Sequence, residues 1–136
     1  MTPEFLAAVI DTLLPGDDVL PSGTRAGLDP VVYASSHHAI FDVIAARAGG
    51  LERFIQADES ARAAALTTVE RALPEAFRAL LVTVLSDYYE ATAVLAALGW
   101  RTDPPQPAGH AMSEWNDAAG ERLERIRRRV RMWRAV

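Results

Sequence analysis

Between Pro74 and Gly99 the chain runs twenty-four residues without proline or glycine, and Phe77, Leu81, Val84, Tyr88, Ala91, Leu95 and Leu98 recur there at steps of four and three. That period puts them on one side of an α-helix, and the stretch does not alternate as a strand would. Leu80, Val82, Leu85 and Val94 widen the stripe, so the spacing predicts a helix over 74–98 that lies at the centre of a bundle. Half of the 136 residues are apolar and 25 are alanine, while aromatics make up only 7%. Small side chains of this kind favour helices packed closely on helices.

The same punctuation divides the rest of the chain. Thr2 as N-cap, Pro3 at the first helical position and Glu4 beside the positive end of the dipole open a helix over 3–14, with Phe5, Leu6, Val9, Ile10 and Leu13 at helical spacing. Pro15-Gly16 ends it. Residues 15–29, PGDDVLPSGTRAGLD, are a loop whose length approaches the limit for structureless connections, which points to a role; Val19, Leu20 and Leu28 are its candidate anchors to the core. Asp29-Pro30 starts a helix to Ala48, closed by Gly49-Gly50, with Val31, Ala34, His38, Phe41 and Ala45 on one side and His37, Ile40 and Ile44 flanking it. A short helix over 51–57 follows, and Asp58 caps another to Leu73 with Ala61, Ala65, Leu66, Val69 and Leu73 inward. Residues 99–113, with Pro104, Pro105 and Pro107, are extended. A last helix runs to Trp133 with a narrow stripe of Leu123, Ile126, Val130 and Trp133. The pattern as a whole predicts one domain over 1–136, an all-α, compact bundle of five to six helices with two Pro/Gly-rich loops.

Charge and missing residue types exclude much chemistry. There is no Cys, hence no disulfide, thiol nucleophile, iron–sulfur cluster or thiolate zinc site. All 14 basic residues are Arg, so there is no Schiff-base or P-loop lysine. No G-x-G-x-x-G or G-x-S-x-G occurs, which argues against Rossmann-type binding of FAD or NAD and against a nucleophile elbow. The net charge is −4, but residues 121–134 carry seven Arg and two Glu while the remainder is acidic. An acidic body argues against general nucleic-acid binding. No apolar run is long enough to span a membrane. The opening Met-Thr-Pro-Glu lacks the features of a signal peptide, which predicts a protein that is cytoplasmic or exported with a partner.

Few side chains suggest a site. His38 and Asp42 share a helix face at i,i+4, a spacing that can bind zinc, and His110 is a candidate third ligand; the plainer reading is a half-buried helix histidine. Asp17-Asp18 lacks the alternate acidic positions of an EF-hand loop and reads as turn chemistry. Of the adjacent Tyr88 and Tyr89, one belongs to the core and the other to the surface. Trp100, Trp115 and Trp133 cluster in the last third beside arginines, a composition that suits a binding hot spot.

Two segments stand out together: the first helix leading into LLPGDDVLPSGTRAGL, and DYYEATAVLAALGWRTDPPQPAGH, with its Tyr-rich helix, Leu-Gly-aromatic end and Pro/Gly-rich stretch. In that order they resemble the gluconate 2-dehydrogenase subunit 3 family. The resemblance implies a small helical subunit without a cofactor or catalytic residue of its own, bound to an FAD-dependent dehydrogenase large subunit of the glucose-methanol-choline type. The FAD would sit in that partner flavoprotein, and a cytochrome often takes the electrons. Many members begin with a twin-arginine export signal, which this sequence lacks. The chain is therefore expected to be a non-catalytic accessory subunit that binds and stabilises a sugar or polyol dehydrogenase through Val19, Leu20, Tyr89, Trp100 and Trp115. One alternative is a stand-alone helical enzyme or metal-binding protein using His37, His38, Asp42 and His110. Another is a helical adaptor that self-associates, or binds a polyanion, through residues 121–134, with Arg127, Arg128 and Arg129 prominent.

Overall fold

A computed structural model describes residues 1–101 and 117–127. Every regular element among them is helical: α1 (Pro3–Leu13), α2 (Pro30–Ser36), α3 (His38–Ala48), α4 (Leu51–Gln56), α5 (Glu59–Ala72), α6 (Pro74–Glu90), α7 (Thr92–Ala97) and α8 (Asp117–Arg127). The all-α bundle expected from the sequence is what the chain forms. Length predicts one domain over 1–136; by its contacts the chain groups into two units, Met1–Thr102 and Asp103–Val136. All buried apolar residues among those described lie in the first.

The helix starts follow local chemistry. Thr2 Oγ1 accepts from Phe5 N at 3.3 Å, Asp29 Oδ1 from Val31 N at 3.0 Å and Asp58 Oδ1 from Ala61 N at 2.7 Å, each satisfying a donor that the first turn leaves free. Pro occupies the start of α1, α2 and α6, where its missing N–H costs nothing. Gly49 closes α3 in the left-handed region at φ 80°.

Two expected helices are broken. The run over 30–48 stops at His37, whose φ −127° and ψ 28° are not helical. Just before it, the Ser35 and Ser36 hydroxyls donate to Val32 O at 2.7 and 3.4 Å, a local bonding that competes with the helical ladder. The break turns the buried stripe: Tyr33, Ile40, Phe41 and Ile44 face the core, whereas Val31 and His38, expected inward, are exposed. The run over 74–98 is interrupted at Ala91, extended at ψ 130°, and α7 resumes at an angle that buries Val94 completely.

The core is built around α1, which packs on α2, α4 and α5, and α3, which packs on α2, α4 and α5. Phe5, Val9, Ile10, Phe41, Ile44 and Phe54 are fully enclosed, and the Phe5 and Phe54 rings meet edge to face at 5.4 Å. The longest helix is therefore not central. It packs on α5 and α7, buries Phe77, Leu80, Val84 and Tyr88, and leaves Val82 55% exposed. Likewise on α5 only Leu66 and Val69 are buried, Ala65 is half-buried, and Ala61 and Leu73 are exposed.

Residues 14–29 form an ordered strap rather than a loose connection. Gly16 takes φ 73°, and a Cβ there would fall 2.6–2.7 Å from backbone atoms of Leu20, Pro21 and Ser22. Asp17 N donates to Leu20 O at 2.9 Å, and Asp17 Oδ1 accepts from Val19 N and Leu20 N at 2.7 and 2.6 Å. Gly23 lies against Ile10, whose Cγ2 is 2.6 Å from where a Cβ would stand. Beyond it, Thr24 donates through N and Oγ1 to the Asp11 carboxylate at 2.7–2.9 Å, tying the strap to α1. Ala26 and Leu28 then enter the core.

Candidate functional site

The strap presents its apolar residues unequally. Leu28 is buried and Leu20 packs half-buried against the core, but Val19 points away and is 66% exposed. Val19 is thus no anchor. It is held outward by the turn that Asp17 closes. Those same backbone donors keep the Asp17 carboxyl below its ordinary value, Leu20 N first and Val19 N second. This is the turn chemistry expected of Asp17.

Tyr88 joins the strap to α6. Its hydroxyl donates to Pro21 O at 2.7 Å across 67 residues of sequence, and its ring meets that of Tyr89 edge to face at 5.5 Å. The pair divides as expected, with Tyr88 in the core and Tyr89 54% exposed. Burial raises the Tyr88 phenol above its usual range, and the neighbouring Tyr89 and Asp17 add to the effect. Val19 and Tyr89 are thus close in sequence to the two ends of this link between the strap and α6. Trp100, 69% exposed, stands beyond the end of α7, where its backbone N–H donates to Leu95 O at 2.9 Å. Trp115 lies outside the described residues.

A second feature was not legible in the sequence. The Tyr33 hydroxyl donates to Asp87 Oδ2 at 2.8 Å, bridging α2 and α6. Burial, then the Asp87 carboxylate, push the Tyr33 phenol far above its usual range, so it stays a neutral donor. The bridge forms one wall of an open groove of about 780 Å³ between the end of the strap, α2 and the α6–α7 junction, bordered by Asp29, Val32, Asp87 and Glu90. Two of its three carboxylates are committed, Asp29 to capping α2 and Asp87 to Tyr33. The only available signal was that Tyr33, Ile40 and Ile44 share a helical stripe, and that stripe crosses the break at His37.

The histidine constellation is only partly described. His37 sits half-buried at the α2–α3 junction, while His38 and Asp42 are exposed on α3. His110 lies outside the described residues. Among the described residues no three metal-ligating side chains converge, and no helix is long and apolar enough to cross a membrane. On α8, Arg127 pairs with Glu124 at 3.0 Å on an exposed face, a contact worth little in water. Arg128 and Arg129 lie outside the described residues. Comparison of the chain with models of known protein families, with curated proteins and with solved structures returns no match.

Proposed function

We propose that this chain is an accessory subunit whose work is done by surface. It binds and stabilises an FAD-dependent dehydrogenase of the glucose-methanol-choline type, as its resemblance to the gluconate 2-dehydrogenase subunit 3 family implies. The observation that supports this reading is the exposure of Val19 on the strap and Tyr89 on α6, each within two residues of the Tyr88–Pro21 hydrogen bond. Apolar and aromatic groups displayed on a strap and a helix that are already ordered lose little conformational freedom when a partner covers them. Leu20, half-buried beneath Val19, supports the strap rather than contacting a partner directly. Trp100 adds a large exposed aromatic of the kind that anchors interfaces. A stable complex needs about 800 Å² from each side, more than these residues supply alone, so the partner must also cover neighbouring surface.

Co-expression with a flavoprotein dehydrogenase encoded beside this chain tests the reading. Co-elution on size exclusion, with loss of flavoprotein stability or activity when the small chain is omitted, is the expected result. Separate elution together with full activity of the large subunit alone rules the reading out.

A further inference from the structure

Three of the seven arginines of residues 1–102 gather at one place. Arg47 from the last turn of α3, Arg53 from α4 and Arg62 from α5 line a concavity of about 370 Å³, together with Ala57, Ala65 and Thr68. Among the described residues no carboxylate lines it. The only ion pair among the described residues is Arg127–Glu124, so none of the three guanidinium groups is paired with a described carboxylate. This happens in a chain whose net charge is −4, so abundance of positive charge does not explain it.

One of the arginines is tethered: Arg62 Nε donates to Ala57 O at 3.0 Å, which leaves its outer nitrogens uncommitted by that bond. Arg53 lies back across the α3–α4 turn; a Cβ at Gly49 would stand 3.1 Å from its Nη1 and 3.3 Å from its Cδ, so the glycine makes room for it. Arg47 and Arg53 also stand near helix C-termini, where a cation is favourable. One cation per terminus meets that need, and it gives no reason for a third to converge from α5.

We propose that this pocket binds a small phosphate-class oxyanion. Guanidinium groups pair with such anions through parallel N–H···O bonds, and a bound anion removes the mutual repulsion of the three cations. The volume is many times the roughly 30 Å³ of a water molecule, ample for an anion of phosphate size. The inference is independent of the accessory-subunit reading.

The full chain is titrated with inorganic phosphate, and separately with sodium chloride at matched ionic strength, while arginine Nε–H and backbone amide NMR signals are followed. Saturable shifts confined to the end of α3, α4 and α5 are expected with phosphate alone. R47Q and R53Q should each weaken binding about tenfold, as loss of a charge-assisted hydrogen bond does, whereas R78Q on the exposed side of α6 should not. R62Q also loses the bond to Ala57, so R47Q and R53Q carry the decision. Shifts that track ionic strength, that centre on residues 121–127, or that persist unchanged in the R47Q/R53Q double variant overturn the proposal.

Discussion

Tyr33 and Tyr88 are the residues whose chemistry the fold alters most. Each phenol is withdrawn from water, one donating to a carboxylate and the other to a backbone carbonyl, and each resists ionisation in the folded chain. A raised folded pKa means the native state holds its proton more tightly than the unfolded chain does. Stability from these two groups is therefore complete below the ordinary tyrosine value of 10.0 and is lost as pH rises beyond it. Urea denaturation at stepped alkaline pH should show a decline that starts near that value, and the Y33F/Y88F variant should show a shallower one. Gly16 is constrained differently. Its positive φ and the backbone atoms within 2.7 Å of a would-be Cβ leave no room for a side chain. Gly16→Ala should cost about 2–4 kcal/mol by adding backbone strain to a steric clash, measurable as a lower urea midpoint with unchanged slope.

On the scale of elements, α6 shows how a broad apolar stripe can mislead. Its spacing predicts a helix wrapped on several sides, yet α1 and α3 take the centre, and α6 is covered along one line only. Leu80 and Val82, two positions apart, test this directly. Leu80→Ala removes fully buried methyl groups and should cost about 2–5 kcal/mol. Val82→Ala removes exposed ones and should stay within about 0.5 kcal/mol. Equal losses in thermal or chemical denaturation would mean α6 is buried on both sides. The breaks at His37 and Ala91 belong to the same scale. Neither carries a proline or glycine; Ser35 and Ser36 offer a weak local signal at the first, and with the chain turned there Tyr33 and Val94 are both buried.

For the molecule as a whole, the accessory-subunit reading makes Tyr89 and Trp100 dispensable for folding and needed for association. Tyr89→Ala and Trp100→Ala should leave the melting temperature within a degree or two of the parent, since each side chain is mostly in water. Each should weaken capture of the flavoprotein about tenfold or more in a binding titration, as expected of aromatic anchors. Unchanged affinity in the double variant would remove them from the interface.

Caps, terminators and the helical period were readable directly, because Thr2, Asp29, Asp58, Pro30 and Gly49 act on backbone groups within three or four residues. Adjacency alone required Tyr88 and Tyr89 to part. Other features depended on which surface happened to come alongside. Val19 turns outward while Leu20 and Leu28 turn in, Tyr33 finds Asp87 across 54 residues, and three arginines from three helices meet in one hollow. Short-range bonding is written in neighbouring letters, but burial and charge convergence are decided by chain segments far apart in order, and only their packing brings them face to face.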